Sequence, residues 1–464
     1  MEKNKLSCFK AYDIRGRVPD ELNVSLAYQV GRAFVAAFSA KKIVVGYDIR
    51  LSSLQIADAL MDGICDAGAD VVMIGLCGTE EVYHAVFSLE ATGVDGGIMI
   101  TASHNPADYN GMKFVSKGAR PVSGETGLQH MADLIRADDL PERHSKRGQV
   151  TRMTDKGDYI KHLLGYIRKE DLKPLKIVMN SGNGCVGPVL DLLESELPVE
   201  MIKMHHQPDG TFPNGVPNPL LPEQRQETSR MVQETGADLG IGWDGDFDRC
   251  FFWDEKGNFI EGYYIVALLA TEILATEPGG TILYDPRLIW NTQELVEQAG
   301  GKPIMTRTGH SFIKERMRQE DAVYGGEMSA HHYFRDFGYC DSGMIPWLLV
   351  CSLLSRRSVT LSECVGSMRQ SFPVSGEINS TVDDPDMVIR QLEKEYGQGE
   401  KDYTDGLSVS FDDFRFNIRK SNTEPLLRLN VESRADPELL EEKTKELLAI
   451  IRQTTMTING HNEA

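Results

Sequence analysis

Cysteine occurs in this chain, but never in a spacing that would serve a disulfide framework or a zinc site. The eight cysteines of the 464 residues are scattered, with no CxxC or other paired pattern among them. Disulfide-rich domains and zinc sites both depend on such spacings. The sequence therefore argues against both, and it predicts reduced thiols in a cytoplasmic protein.

Long apolar runs are also missing. Residues 2–5 are polar, and no later segment resembles the apolar core of a signal peptide or a membrane-spanning helix. We therefore expect no membrane partner.

Positive charge is in short supply. The chain has 49 Lys and Arg against 69 Asp and Glu, so its formal net charge is −20. A surface of that sign repels nucleic acid and anionic membranes, and neither is an expected partner. An anionic small molecule would have to be bound by basic side chains that are gathered locally.

A threefold pattern of apolar runs is present. In each of three segments, three short β-branched runs are separated by helical stretches, which predicts buried strands in a parallel or mixed sheet with helices on both faces. The runs are Lys42–Tyr47, Asp70–Ile74 and Gly97–Ile100, then Lys176–Asn180, Val199–Lys203 and Asp238–Ile241, then Thr281–Tyr284, Lys302–Met305 and Asp321–Tyr324. We therefore predict three similar α/β domains with mixed sheets.

The C-terminal part has a different pattern. Between residues 407 and 431 apolar and polar residues alternate, which predicts antiparallel strands. Asp436 and Pro437 are typical of the cap and first residue of a helix, and the charged stretch 394–405 is expected to be a solvated connection. A smaller α+β domain follows from this. The predicted domains are 1–150, 151–256, 257–372 and 373–464.

A polar loop follows the third run of each repeat, at 101–106, 244–249 and 325–332. Ligands of open α/β sheets bind beyond the carboxyl ends of the strands. The three loops are therefore expected to converge on a central cleft, although three unrelated polar turns are an alternative.

Asp244, Asp246 and Asp248 alternate along the second loop. Carboxylates that lie so close repel one another unless a cation neutralises them. Oxygen ligands favour a hard divalent ion, so we expect one Mg²⁺ per chain and not zinc. Arg249 would be a bidentate anion partner beside it. A surface Asp-rich turn is the alternative.

Ser103 stands at the mouth of a buried strand. A serine hydroxyl is a poor nucleophile unless a base or an ion assists it. Its neighbour His104 and the nearby Lys113 offer a base and a positive charge, while the chain has no GxSxG elbow of the kind that hydrolases use. A capping serine at the end of a strand is the alternative.

The segment 419–425 and Arg428 combine guanidinium, hydroxyl and amide donors without the glycine run of a P-loop. Such donors suit a phosphate dianion. A solvated basic turn is the alternative. Another arginine, Arg15, lies near the N-terminus at an expected turn.

Four of these segments, in this order and at these separations, resemble the signature loops of the α-D-phosphohexomutase superfamily: Ala102–Pro106, Asp244–Arg249, Gly326–His331 and Arg419–Pro425. The resemblance covers nearly the whole chain, and Ala11–Gly16 and Tyr109–Lys113 match as well. The sugar loop Gly325–Phe334, taken with Asn180–Asn183, is most similar to that of bacterial phosphomannomutases, which feed GDP-mannose synthesis.

The resemblance implies a role for each matching residue. It implies a phosphorylated Ser103 that shares catalysis with Lys113, Arg15 and His104, and it makes Ser103 a magnesium ligand together with Asp244, Asp246 and Asp248. It further implies a phosphoserine contact by Arg249, a cleft wall that includes Tyr12, sugar binding by Glu327, Ser329, His331 and His310, and phosphate binding by Arg419, Ser421, Asn422, Thr423 and Arg428. Arg307 and Ala330 depart from the lysine and glycine of many relatives.

The implied activity is that of an isomerase acting on a phosphosugar. It would interconvert mannose 6-phosphate and mannose 1-phosphate through phosphoserine and a hexose 1,6-bisphosphate, which also serves as activator, in a monomer or homodimer. Glucose phosphates as substrates, alone or with mannose phosphates, are an alternative. A magnesium-dependent phosphatase with an Asp nucleophile is another, but such a nucleophile normally lies on the first strand. A sugar-phosphate-binding protein without catalysis is the third.

Overall fold

A computed structural model describes residues 6–420 and 426–462, with side chains described as far as residue 454. The chain forms two compact units. One comprises the chain up to Phe259 together with His331–Thr360, and the other comprises Ile260–Ala330 and the chain from Leu361 onward. The four domain boundaries expected from the sequence remain a prediction.

The first part of the chain builds a seven-stranded sheet in the order β1-β5-β4-β2-β3-β7, with β6 beside β5. Its strands are β1 (Ile14–Arg17), β2 (Lys42–Tyr47), β3 (Asp70–Leu76), β4 (Gly96–Ile100), β5 (Tyr109–Ser116), β6 (Arg120–Pro121) and β7 (Val150–Arg152). Its helices are α1 (Val24–Phe38), α2 (Ser53–Asp66), α3 (Thr79–Ser88) and α4 (Gln129–Ala137).

The next part of the chain builds a five-stranded sheet in the order β12-β11-β10-β8-β9. Its elements are α5 (Gly157–Leu164), β8 (Lys176–Asn180), α6 (Gly187–Glu194), β9 (Glu200–Met204), α7 (Gln226–Thr235), β10 (Leu239–Trp243), β11 (Cys250–Trp253) and β12 (Phe259–Ile260).

The third part of the chain is divided between the units. The second unit holds α8 (Gly262–Leu274), β13 (Thr281–Tyr284), α9 (Trp290–Gln298), β14 (Lys302–Met305), α10 (His310–Glu320) and β15 (Tyr324–Gly326). The first unit holds the antiparallel pair β16 (His332–Phe334) and β17 (Cys340–Asp341), and helix α11 (Ile345–Arg357).

The threefold repeat predicted from the apolar runs is present in the strand order. In each repeat the first strand lies between the second and the third, and all three are parallel: β2 between β3 and β4, β8 between β9 and β10, and β13 between β14 and β15. The carboxyl ends of these strands therefore meet at one edge in every repeat, which places the polar loops that follow them.

The last part of the chain forms an antiparallel sheet in the order β18-β22-β21-β20-β19. Its elements are α12 (Leu361–Ser371), β18 (Ile378–Thr381), α13 (Pro385–Glu395), β19 (Glu400–Asp402), β20 (Leu407–Ser410), β21 (Phe414–Lys420), β22 (Leu426–Ser433) and α14 (Pro437–Asn462). The predicted helix start is confirmed, because the Asp436 carboxylate accepts a hydrogen bond from Leu439 N at 2.9 Å. The stretch 394–405 is more than a connection, since β19 lies within it and pairs with β20.

Within the described ranges, 6–420 and 426–462, no helix combines the length and the apolar character that crossing a membrane requires.

Helices α1 and α2 approach each other through glycine. A Cβ built on Gly63 would lie 2.1 Å from the carbonyl oxygen of Tyr28, and one on Gly31 would lie 2.3 Å from the carbonyl oxygen of Leu60. Both contacts are with backbone, which cannot swing away as a long side chain can. The absence of side chains at these two positions therefore sets the spacing of the helix pair.

We predict that Gly63→Ala destabilises the protein by about 1–3 kcal/mol, because the added methyl forces the helices apart. Gly366→Ala is the matched control: Gly366 is a helical glycine, and a Cβ added to it would have no neighbouring atom within 4 Å. There alanine's better helix propensity should stabilise by up to about 1 kcal/mol. Calorimetric melting of the two variants tests this, and equal melting temperatures would contradict the close-contact argument.

Candidate active site

The loop after β4 holds Ser103 in an enclosed position. Ser103 is buried and has a left-handed backbone conformation, with φ +52°, and its N–H donates to the Thr101 hydroxyl at 2.8 Å. Its hydroxyl donates to Asp244 Oδ2 at 2.9 Å and lies 3.0 Å from His104 Nδ1. Burial and the neighbouring guanidinium groups of Arg249 and Arg15 hold the pKa of His104 well below its ordinary value. The Ser103 hydroxyl therefore has a carboxylate and a neutral imidazole within hydrogen-bond reach.

The loop after β10 gathers three buried carboxylates. Asp244, Asp246 and Asp248 each offer an oxygen, and these atoms all lie within 4.8 Å of one another. Burial, together with the charges of Asp248 and Asp246, raises the pKa of Asp244 to about 7. Burial acts in the same direction on Asp246, but the ammonium of Lys113 outweighs it and lowers the pKa of that carboxyl.

The cluster fits a hard divalent cation. The Oδ1 atoms of Asp246 and Asp248 are buried and accept no hydrogen bond from the part of the chain that is described. Buried carboxylate oxygens are normally paired or bound to a metal. An all-oxygen donor set with vacant lone pairs is suited to Mg²⁺. Thr79 orients the cluster, since its hydroxyl donates to Asp246 Oδ2 at 2.6 Å.

Cationic side chains from neighbouring strands surround the carboxylates. Lys113 on β5 contacts Asp246 at 2.8 Å and also pairs with Asp248. Arg249 Nε lies 3.7 Å from Asp244 Oδ2. Arg15, which lies in β1 and not in the expected turn, donates to Asn105 at 2.6 Å. These groups together can hold an anion beside Ser103.

His331 lies in the same unit as this cluster. Its Nδ1 is 3.0 Å from Asp341 Oδ2 and 4.0 Å from Asp248 Oδ1. Tyr12, just before β1, is half-buried. The first unit therefore brings together Ser103, His104, Lys113, Arg15, Asp244, Asp246, Asp248, Arg249 and His331.

The other predicted site residues lie in the second unit. Glu327 is buried and accepts from Gly309 N at 3.1 Å, while Ser329 accepts from Arg287 Nη2 at 3.3 Å. His310 begins α10 and is half-buried. Arg419 lies near the end of β21 and Arg428 near the start of β22, and Ser421, Asn422 and Thr423 lie outside the described residues.

The two departures from the family pattern have a structural setting. The Arg307 guanidinium lies over the ring of Phe312, 4.4 Å from its centroid. Ala330 is buried with φ +69°, a conformation that glycine adopts at no cost. Alanine at this position therefore carries backbone strain that glycine would not.

Sequence reasoning missed the arginine that anchors the Ser103 loop. The buried guanidinium of Arg50 donates to the carbonyl oxygens of Ser103, Asn105, Pro106 and Tyr109 at 2.9, 2.6, 2.6 and 3.0 Å. Its own backbone N–H donates to Asp48, with which it also forms an ion pair at 3.2 Å.

The third repeat contains a similar Asp-x-Arg pair, whose arginine contacts loop side chains and not loop carbonyls. Arg287 pairs with Asp285 at 2.8 and 2.9 Å and reaches Ser329 and, at 3.6 Å, Glu327. The signal was in the sequence: Tyr47–Arg50 reads YDIR and Tyr284–Arg287 reads YDPR, and each begins at the last residue of the first strand of its repeat. Each arginine anchors the loop that follows the third strand of its own repeat.

Comparisons with known proteins cover most of the chain. Family models described as phosphoglucomutase/phosphomannomutase match in order: α/β/α domain I over residues 7–141, domain II over 157–257, domain III over 261–372 and the C-terminal domain over 377–449. Three similar α/β domains followed by a smaller C-terminal domain, the fold class predicted from the sequence, are thereby confirmed.

Individual relatives are similar over nearly their full length. A phosphomannomutase of Salmonella typhimurium LT2 is 56% identical over 97% of this chain and 100% of its own. A Xanthomonas campestris protein named phosphohexose mutases is 55% identical over 96% and 99%. The solved structure of a phosphoglucomutase/phosphomannomutase family protein from Burkholderia thailandensis matches with a TM-score of 0.86 at 31% identity, over 97% and 98% of the two chains.

We predict that Asp246→Asn weakens Mg²⁺ binding by about tenfold or more, because one of three carboxylate charges is lost. Titration calorimetry of the full chain with Mg²⁺ measures this. Asp254→Asn is the control, since Asp254 is equally buried in the same unit but outside the cluster. An unchanged Mg²⁺ affinity in the Asp246 variant would exclude the Asp loop as the metal site.

We also predict that Arg50→Lys loosens the Ser103 loop, because an ammonium cannot reach four carbonyl oxygens as the guanidinium fork does. Amide exchange in residues 101–112 should become about tenfold faster or more, as two or more charge-assisted hydrogen bonds are lost. Arg225→Lys is the control: Arg225 donates to the carbonyls of Pro219 and Leu220, away from this loop. Equal amide exchange rates in residues 101–112 of both variants would show that Arg50 does not anchor the loop.

Proposed function

The chain belongs to the phosphoglucomutase/phosphomannomutase family, and we propose that it interconverts mannose 6-phosphate and mannose 1-phosphate. The observation that carries the proposal is the hydrogen bond from the Ser103 hydroxyl to Asp244, in a carboxylate cluster that retains unpaired buried oxygens. A hydroxyl beside a cation site is suited to carry a phosphoryl group. The name and the 56% identity of the Salmonella relative support mannose as the sugar.

In the proposed reaction Ser103 carries the phosphoryl group. The bond between phosphorus and the serine oxygen breaks, and a bond to the free O1 or O6 hydroxyl of the sugar phosphate forms, which gives a hexose 1,6-bisphosphate. The serine oxygen takes up a proton and the sugar hydroxyl loses one. The bisphosphate turns over, and its other phosphoryl group returns to Ser103. Neutral His104, 3.0 Å from the serine oxygen, is suited to exchange the proton there.

Charge neutralisation is the main task of the surrounding residues. Phosphoryl transfer depends on positioning and on stabilising charge on the phosphoryl oxygens. Lys113, Arg249 and Arg15 supply positive charge from the protein. Mg²⁺, when held by Asp244, Asp246, Asp248 and an oxygen of the phosphorylated Ser103, would add to it.

The second unit is proposed to recognise the rest of the substrate. Glu327, Ser329 and His310 of this unit would bind sugar hydroxyls, with His331 of the first unit contributing, and Arg419 and Arg428 would bind the phosphate that is not reacting. The resemblance assigns Ser421, Asn422 and Thr423 to the same phosphate. Hexose 1,6-bisphosphate would act as activator by phosphorylating Ser103.

We further propose that the enzyme supplies mannose 1-phosphate for GDP-mannose synthesis. A cytoplasmic location agrees with the free thiols of all eight cysteines. One observation favours a broader specificity: the Xanthomonas relative, at 55% identity, is named phosphohexose mutases and not phosphomannomutase. Glucose 1-phosphate is therefore the second candidate substrate.

We predict that the enzyme converts mannose 1-phosphate in the presence of Mg²⁺ and hexose 1,6-bisphosphate, and that Ser103→Ala abolishes this because the phosphoryl carrier is lost. Coupled assays with mannose 1-phosphate and glucose 1-phosphate, side by side, measure the rate and the preference. Intact-mass analysis should show a phosphoryl group on the wild type that the variant cannot carry.

Ser116→Ala, at the end of β5 and away from the cluster, is the matched control and should keep full activity. Full turnover by the Ser103 variant would disprove the phosphoserine route. No turnover of either sugar phosphate by the wild type would disprove the mutase assignment itself.

A further inference from the structure

Two arginines of the last sheet face each other across a strand pair. The antiparallel register of β21 and β22 sets Arg419 directly opposite Arg428. Like charges at directly opposed positions destabilise a sheet. The side chain of Arg419 is only 11% exposed, so water screens this repulsion poorly. The pair therefore needs a counter-ion.

Glu377 supplies the counter-ion. It directly precedes β18, which pairs with β22 so that Asn379 lies opposite Arg428. Because side chains on a strand alternate between faces, Glu377, two residues before Asn379, points to the same face as Arg428. Its Oε1 lies 3.4 Å from Arg428 Nη1, and its Oε2 lies 3.5 Å from Arg419 Nη2.

A third guanidinium group shares the same carboxylate. Arg287 Nη1 lies 3.7 Å from Glu377 Oε2. Arg287 also reaches Glu327 and Ser329 of the proposed sugar loop. One carboxylate thus lies between three arginines, one of which contacts the sugar loop.

The three arginines differ in how firmly they are held. Arg287 donates two hydrogen bonds to the Asp285 carboxylate, of 2.8 and 2.9 Å. The contacts of Glu377, at 3.4–3.7 Å, are longer than well-formed hydrogen bonds. In the described part of the chain, the buried Nε atoms of Arg419 and Arg428 have no hydrogen-bond partner. Donors that a carboxylate leaves unused remain available for a larger anion with more oxygens.

We propose that Glu377 is an internal counter-ion of a phosphate site formed by Arg287, Arg419 and Arg428, and that the non-reacting phosphate of the substrate displaces it. This proposal rests on the proposed function, because only a phosphosugar substrate would bring a non-reacting phosphate to these arginines. Arg287, which no sequence pattern had assigned to phosphate, becomes a member of the site.

The counter-ion has a consequence for catalysis. A carboxylate that competes with phosphate weakens phosphate binding. It also neutralises the arginines again as the phosphate leaves, so Arg419 and Arg428, which lack the carboxylate that Asp285 gives Arg287, are not left without a counter-ion. The bisphosphate intermediate must release one phosphate and present the other. Glu377 therefore lowers the affinity for phosphate and allows the bisphosphate intermediate to reorient faster.

The test removes the negative charge of Glu377 and keeps the size of its side chain. Glu377→Gln should bind inorganic phosphate about threefold to tenfold more tightly in titration calorimetry of the full chain, since a competing anion is lost. In steady-state assays its KM for the sugar phosphate should fall and its kcat should fall with it, which a purely structural role would not produce.

Glu261→Gln is the matched control, since Glu261 pairs with one arginine, Arg369, at 2.9 Å in the same unit. It should leave phosphate affinity unchanged. In the double variant Arg419→Ala/Glu377→Gln the gain in phosphate affinity should disappear. That result would show that the additional phosphate affinity arises at this site and not at the cations around Ser103.

Phosphate binding by Glu377→Gln that equals or is weaker than that of the wild type, with an unchanged melting temperature, would overturn the proposal. It would show that Glu377 only ties the arginines in place. This titration needs no turnover, so it is independent of the proposed activity. If the wild type turned over neither sugar phosphate while Glu377→Gln still bound phosphate more tightly, the mutase assignment would fail and the counter-ion would stand.

Discussion

The interaction on which the first unit's site depends is the mutual repulsion of three buried carboxylates. Asp244, Asp246 and Asp248 bring their oxygens within 4.8 Å of one another in a place that water does not reach. Such a cluster is stable only if cations are built around it. The sheet does this by register: β5 pairs with β4 and β1 pairs with β5, which carries Lys113 and Arg15 to the edge where the Ser103 loop begins. The strand order of the sheet therefore supplies the positive charges that the carboxylate cluster requires.

A second device places the loops. In the first and third repeats an Asp-x-Arg pair follows the first strand, and its arginine reaches the loop that follows the third strand. Because the first strand pairs with the third, an arginine just after the first strand can reach that loop. In the second repeat the backbone serves instead, as Cys185 N donates to the Gly245 carbonyl at 3.2 Å. Local anchoring of each loop holds its side chains in a fixed geometry.

Much of the fold could be predicted from periodicity. The strands Lys42–Tyr47, Lys176–Asn180 and Thr281–Tyr284 have the expected bounds, because continuous apolar runs can only be buried. The predicted run Asp321–Tyr324 overlaps β15 only at Tyr324. The charged stretch 394–405 was predicted to be a connection, but β19 forms there although its residues are polar. An edge strand needs only one partner and tolerates exposure, so its sequence carries little signal.

The sequence by itself determined which chemical groups the loops carry: a carboxylate triad, a serine at a strand end and a run of guanidinium, hydroxyl and amide donors are local patterns that are visible without any tertiary contact. Only the tertiary structure decided which distant groups complete them. Arg50 meets the Ser103 loop across 53 positions of chain, and Glu377 meets Arg419 across 42. Such partners are set by strand order and register, because those bring residues together irrespective of their separation along the chain. A local sequence pattern shows where a charged side chain lies in the chain, but the tertiary structure determines which opposite charge it pairs with.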